Sequence, residues 1–194
     1  YQISFWRSQM KHSRKRIVIS FNSPVILSFT AICFVSLILD YITKGATTNT
    51  FFSVYRSSLL SPWTYVRFIG HIFGHAGWEH FIGNIMMILV VGPLLEEKYG
   101  SSSILLAIVT TALVTGLANF ILFPQKQLLG ASGVVFAFIL LASFTSLREG
   151  EIPLTFILVA LIYMGQQIYE GIFIHDNVSN LTHIFGGLIG SGFG

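Results

Sequence analysis

Six long apolar runs, separated by shorter polar segments, dominate the pattern of this chain. They cover residues 24–42, 77–95, 102–123, 131–147, 153–173 and 180–194. A helix that crosses a bilayer needs about 20 mostly apolar residues, and each run comes near that length. The pattern therefore predicts an all-α polytopic membrane protein whose six transmembrane helices pack as one bundle.

The composition agrees with a chain that lies mostly within the membrane. Of the 194 residues, 53% are hydrophobic and only 10% are charged, whereas soluble domains carry about 25% charged residues. The runs leave no room for a separate soluble domain, so we expect a tail at residues 1–23 and one intramembrane domain at 24–194. The single cysteine, Cys33, excludes an intramolecular disulfide and a thiol metal site.

Basic residues predict the orientation of the chain. The formal charge of +3 reflects a cluster before the first run, made of Arg7, Lys11, Arg14, Lys15 and Arg16. Positive residues beside a span stay cytoplasmic, so we expect a cytoplasmic tail that orients the chain, and no nucleic-acid partner. The loops at 43–76, 124–130 and 174–179 then lie outside, and those at 96–101 and 148–152 lie inside.

The segment 43–76 is long and apolar for a connector. Aromatic and aliphatic residues alternate there with Arg56 and Arg67, a mixture typical of a segment in the headgroup region. We expect a long interfacial outer loop in contact with membrane lipid. It either anchors the protein or forms a scaffold for a site beneath it.

Four polar residues lie near the outer ends of the predicted spans. They are His80 and Asn84 in the second span, Ser132 in the fourth and His183 in the sixth. Polar groups inside membrane spans are costly and mark functional candidates. Because these three spans run in the same direction, the four side chains are expected at similar depth, close enough to form one site.

Ser132 lies in the string Gly130-Ala131-Ser132-Gly133, at the start of an apolar run. A serine there can simply be a helix N-cap. Alternatively, the unpaired N–H groups of the first turn can stabilise an anion, as acyl transfer to a serine requires. The string is not the G-x-S-x-G elbow of α/β-hydrolases.

His183 is followed by Gly186, Gly190 and Gly194 on one helix face. Glycines at this spacing indicate close contact with another helix, and the small residues Gly133 and Ala137 offer a matching face. His183 is then either a satisfied core residue or a general base for Ser132, with Phe136 packed on its ring.

His80 and Asn84 are four residues apart and share a helix face. Both can donate hydrogen bonds to an oxyanion, or they can form a polar clasp between helices. His71 and His75 extend the series, but their spacing matches neither H-E-x-x-H nor H-x-x-E-H. We therefore expect no metal and no cofactor, and assign His71 and His75 to shaping the approach to the second span.

These residues together resemble the rhomboid family of intramembrane serine proteases. The series Arg67, His71, His75, His80 and Asn84 is similar to the family's first loop and second span. Gly130-Ala131-Ser132-Gly133 looks like its GxSG motif, and His183, Gly186 and Gly190 look like its HxxGxxxG helix. The stretch 92–100, with Glu96, is similar to the inner end of the family's second span. The resemblance covers about residues 24–194, and the combined order and spacing of the motifs is highly specific.

The resemblance implies a serine endopeptidase that cuts transmembrane protein substrates near the outer membrane face. Ser132 is then the nucleophile, His183 the base, and His80, Asn84 and the Ser132 backbone N–H the oxyanion hole. Residues implied in support are Gly130, Gly133, Phe136, Gly186 and Gly190, and those implied at a lateral substrate gate are Gln166, Gln167 and Glu170. Two positions depart from the family pattern, Val66 in place of tryptophan and Phe136 in place of tyrosine; neither belongs to the dyad.

Two other classes stay open at this point. One is a rhomboid-like pseudoenzyme that binds transmembrane helices without cutting them, although Ser132 and His183 are both present. The other is a small transporter, although the polar set clusters at one depth and charges lie at span ends. The compact six-span form favours a bacterial inner membrane, and the oligomeric state is unknown from the sequence.

Overall fold

A computed structural model describes residues 21–147, 154, 157–158, 161–162 and 177–193. This part of the chain is built from helices, which confirms the predicted all-α class. In chain order the elements are α1 (Pro24–Thr43), α2 (Ala46–Phe51), α3 (Pro62–Gly70), a 3-10 turn (His71–Phe73), α4 (Trp78–Tyr99), α5 (Ser101–Leu122), α6 (Ser132–Leu147) and α7 (Asn177–Phe193).

Three helices of the described part are long and apolar enough to cross a membrane, namely α1, α4 and α5. Helices α6 and α7 contribute shorter apolar segments, Ser132–Ser143 and Ile184–Phe193. Five predicted spans thus coincide with observed helices. Of the predicted span 153–173, residues 154, 157–158 and 161–162 are helical and the others lie outside the described residues.

One end of the bundle is held together by a buried carboxylate. Glu96, near the C-terminus of α4, accepts the N–H groups of Val25 and Ile26, both at 3.0 Å, and the Ser101 hydroxyl at 2.6 Å. These groups belong to the first turns of α1 and α5, which leave backbone donors unpaired. Glu96 therefore binds the starts of two helices to the end of a third, so α4 runs antiparallel to both.

The outer loop is a folded unit around Arg67. Although the sequence suggests a headgroup-facing arginine, the Arg67 side chain is only 8% exposed. Its Nε–H donates to the Thr50 carbonyl at 3.0 Å, and its guanidinium lies 4.4 Å from the centre of the Tyr55 ring. The planar group thereby ties α2 and α3 together, while Leu60 and Trp63 are exposed beside it. This geometry favours the scaffold alternative.

Candidate active site

Ser132 is the first residue of α6 and does not cap it. The Ala131 carbonyl accepts the Val135 N–H at 3.0 Å, so Ala131 occupies the N-cap position. Within the described part of the chain, the Ser132 hydroxyl forms no hydrogen bond with the first turn. The N-cap alternative is therefore wrong, and the half-buried hydroxyl lies beside the unpaired N–H groups of the helix start.

Gly130 brings the residues just before and at Ser132 (127–132, called the serine segment below) against His80 and Asn84. Its φ of 121° lies in the region that side chains rarely adopt. A Cβ atom at this position would lie 2.7 Å from His80 Nε2 and 3.9 Å from Asn84 Nδ2. Only glycine allows this approach, so the conformation of residue 130 fixes the distance between the serine segment and α4.

The hydrogen bonds around His80 assign its proton. The Ala76 N–H donates to His80 Nδ1 at 3.4 Å, so Nδ1 uses its lone pair. A neutral ring then carries its proton on Nε2, the atom that faces Gly130. Asn84 Nδ2 donates to the His80 carbonyl at 3.0 Å. In the described residues neither side chain hydrogen-bonds another helix, which disfavours the interhelical clasp.

Helices α6 and α7 meet through glycine at closest approach. A Cβ on Gly186 would overlap the Gly133 carbonyl oxygen and lie 3.3 Å from its Cα, and one on Gly190 would lie 2.9 Å from the Cα of Ala137. Both contacts advance in the same direction, so the two helices run parallel. The predicted small-residue interface between these helices is present.

Residue 183 lies one helical turn before Gly186 in α7. Because Gly186 contacts Gly133, this part of α7 is level with the start of α6. The Phe136 ring reaches this helix at Gly187, where its Cε1 lies 2.7 Å from a would-be Cβ. The His183 side chain lies outside the described residues, as do Gln166, Gln167 and Glu170. The Ser132–His183 pair and the gate therefore stay predictions.

A network that the sequence did not single out holds the segment before Ser132. Val54 and Leu128 exchange two backbone hydrogen bonds of 2.9 Å. Asn119 Nδ2 donates to the carbonyls of Val54 at 3.1 Å and Lys126 at 3.3 Å. Asn119 is a buried polar residue within a predicted span, and that signal could have identified it.

His71 connects the same segment to the outer loop. Its carbonyl accepts the Gly130 N–H at 2.9 Å, while its ring contacts the Arg67 carbonyl and the Thr115 hydroxyl, each at 3.2 Å. Burial lowers the pKa of His71, and that of His75, to about 4. The His75 Nδ1 lies 3.2 Å from the Phe73 carbonyl. Both histidines thus bond the backbone as neutral rings, in keeping with their predicted part in shaping the approach to the second span.

Comparison with known proteins finds similar sequences over most of the chain. The family model described as "Rhomboid domain" matches residues 62–194. The chain is 34% identical over 157 residues to Rhomboid-related protein 2 of Mus musculus, covering 70% of this chain and 52% of that protein. It is 25% identical over 202 residues to Rhomboid protease GlpG of Yersinia pestis (strain Pestoides F), covering 98% of this chain and 71% of that protein.

A further relative is Rhomboid protease GluP of Bacillus subtilis (strain 168), which is 28% identical over 159 residues, or 77% of this chain and 30% of that protein. The chain thus spans about half of the mouse relative and less than a third of the Bacillus relative. The matched region includes Ser132, His183, His80 and Asn84.

Proposed function

Because this chain belongs to the rhomboid family of membrane proteins, we propose that it is an intramembrane serine endopeptidase with Ser132 as nucleophile and His183 as general base. The observation that carries the proposal is the convergence of three elements. Gly130 lies against His80 Nε2, Gly133 lies against Gly186, and the start of α6 joins the two contacts.

The proposed reaction uses these groups in two steps. The Ser132 hydroxyl attacks the scissile carbonyl while His183 accepts its proton, and the carbonyl oxygen becomes an oxyanion. That oxyanion accepts hydrogen bonds from His80 Nε2, Asn84 Nδ2 and the Ser132 N–H. His183 then donates the proton to the leaving amine, and water hydrolyses the acyl-enzyme by the same sequence.

The segment 127–130 is suited to hold an extended substrate. One of its edges is paired with Val54 through Leu128 and with His71 through Gly130. The N–H and C=O of Leu129 have no partner in the part of the chain that is described. An extended peptide could add to this edge as a strand, through main-chain hydrogen bonds. Main-chain pairing would need a substrate whose transmembrane helix is locally unwound near its end.

We assign transmembrane proteins as the substrate class, cut near the outer face of the membrane. The basic tail before α1 supports a cytoplasmic N-terminus, and in this proposed orientation the starts of α6 and α7 face the outer side. Gln166, Gln167 and Glu170 remain the proposed lateral gate, and a bacterial inner membrane remains the proposed location.

A fluorophosphonate probe tests the proposal directly. Intact mass of the detergent-purified protein should show one adduct on the parent, and none on Ser132→Ala or His183→Ala. Ser103→Ala, which removes an exposed serine from α5, should keep the adduct. A folded parent without an adduct would instead favour a helix-binding pseudoenzyme. An adduct that persists in Ser132→Ala would show that Ser132 is not the nucleophile.

A further inference from the structure

An apolar cavity lies beneath the outer loop, and its lining does not include Ser132. It has a volume of about 330 Å³, and α1, α5 and the segment 69–73 form its walls. Among the described residues, Ser28 is the only polar one that lines it, so this lining offers too few partners to hold water. A cavity of this kind takes an apolar ligand.

The openings of the cavity face the lipid. Ile32 and Leu105 lie on its walls and are 45% and 51% exposed, and both belong to helices that are long and apolar enough to span a membrane. In a bilayer, the medium that touches these side chains is the hydrocarbon of the lipids. A hydrocarbon chain can therefore enter the cavity from the side without crossing water.

The dimensions of the cavity match one leaflet. Its α1 wall runs from Pro24 to Ile32, which is about 12 Å of helix at 1.5 Å per residue. This is close to half of the roughly 30 Å hydrocarbon core. The cavity begins next to Val25, whose N–H is bound by Glu96, and ends at Ile72 and Phe73. One molecule of liquid water occupies about 30 Å³, and a methylene group is of similar size. The cavity volume of about 330 Å³ therefore corresponds to about ten such groups.

From these features we propose that the cavity binds one acyl chain of a phospholipid in the leaflet at the Glu96 end of the bundle. The chain enters between α1 and α5 and its end supports the segment 69–73 from below. His71 lies in that segment, and its carbonyl holds the Gly130 N–H. The bound lipid is thus a structural ligand that contacts the segment 69–73, which holds the serine segment through His71.

Photo-crosslinking tests this site independently of catalysis. The full chain is reconstituted with phosphatidylcholine that carries a diazirine in the middle of one acyl chain, irradiated, and mapped by mass spectrometry. We expect an adduct on Phe73, a half-buried residue of the cavity wall. A parent protein labelled only on outward-facing positions such as Val90 would overturn the proposal.

Filling the cavity should remove the signal. Val109→Phe and Ser28→Phe add a ring from opposite walls, and each should lower the Phe73 adduct at least fivefold. Val90→Phe makes the same change at a position on α4 that is 66% exposed and outside the cavity, and should leave the adduct unchanged. Unchanged Phe73 labelling in a filled variant that melts cooperatively would contradict the proposal.

Two further arms separate the alternatives. Excess transmembrane peptide, present during irradiation, should not lower the yield of the Phe73 adduct. A lower yield would identify a protein helix as the occupant instead of a lipid. Ser132→Ala should label as the parent does. The lipid site and the proposed protease can therefore fail separately.

Discussion

Replacing Gly186 with alanine tests whether the contact between α6 and α7 sets the geometry of the proposed dyad. The new Cβ would overlap the Gly133 carbonyl oxygen and lie 3.1 Å from the Gly133 carbonyl carbon. These are backbone atoms, so no side-chain rotation relieves the overlap, and reaching an ordinary contact of about 3.5–4 Å requires the helices to separate by about 1 Å. A misplacement of about 1 Å can cost about 100-fold in rate.

The stability effect can be estimated from two opposing contributions. Overpacking costs about 1–3 kcal/mol, whereas glycine to alanine within a helix gains about 0.5–1 kcal/mol. We therefore expect Gly186→Ala to lose about 0–2.5 kcal/mol in the free energy of unfolding. Gly192→Ala is the matched control, because no atom of the described residues outside its own stretch of helix lies within 4 Å of its Cβ position, and it should show only the gain.

The assay is the rate of fluorophosphonate labelling, followed by intact mass, beside denaturant unfolding in detergent. Gly186→Ala should label about 100-fold more slowly than Gly192→Ala at equal folded fraction. If the two variants label within twofold of each other, the helix spacing does not set the geometry of the site, and the reasoning fails.

Three further predictions concern the serine segment, the Glu96 end of the bundle and pH. Gly130→Ala would place a side chain at a φ of 121° and against His80, so this variant should label with the probe at least tenfold more slowly. Gly83→Ala, at an open position on α4, should label as the parent does. Equal loss in both variants would refute the steric argument. Glu96→Gln should lower the free energy of unfolding by about 1–3 kcal/mol, as judged by denaturant melts, because it weakens charge-assisted hydrogen bonds, and the exposed neighbour Glu97→Gln should change it little. The pKa of His71 falls from 6.5 to about 4 on burial, so the unfolded chain binds more protons than the folded one between these pH values. The stability advantage of the parent over His71→Gln should therefore be constant above pH 6.5 and shrink by up to about 3 kcal/mol toward pH 4. An advantage that grows on acidification would contradict this prediction.

The helices themselves were predictable from the sequence. The runs predicted at 24–42 and 102–123 correspond to helices at Pro24–Thr43 and Ser101–Leu122, because a long apolar run admits no other structure in a membrane. The second helix was predicted to end at 95 but continues to Tyr99, where Gly100 at φ 82° ends it. Apolarity alone could not place that end, since Glu96 and Glu97 are polar yet helical.

The candidate site was predictable only in its chemistry. The residue types and spacing predicted Ser132, His80 and Asn84 as candidates, and the structure brings Gly130, His80 and Asn84 together. The contacts of Arg67 with Thr50 and Tyr55 could not be predicted, because they depend on how the loop folds back on itself. The position of Leu128 likewise follows from tertiary pairing, for which no local pattern exists, whereas Asn119 carried a signal as a polar residue within a predicted span.

The attachments of the serine segment have a consequence for the order in which the protein folds. Gly130 is bonded to His71, Leu128 to Val54, and Asn119 to Val54, so all three links close long loops between elements distant in the sequence. Long-range links form late, after the local helices, and segments that depend on few contacts open at lower free energy than the helices around them. As denaturant rises, probe labelling should therefore disappear before helical circular dichroism does, so that the nucleophile's position is the last feature acquired and the first one lost.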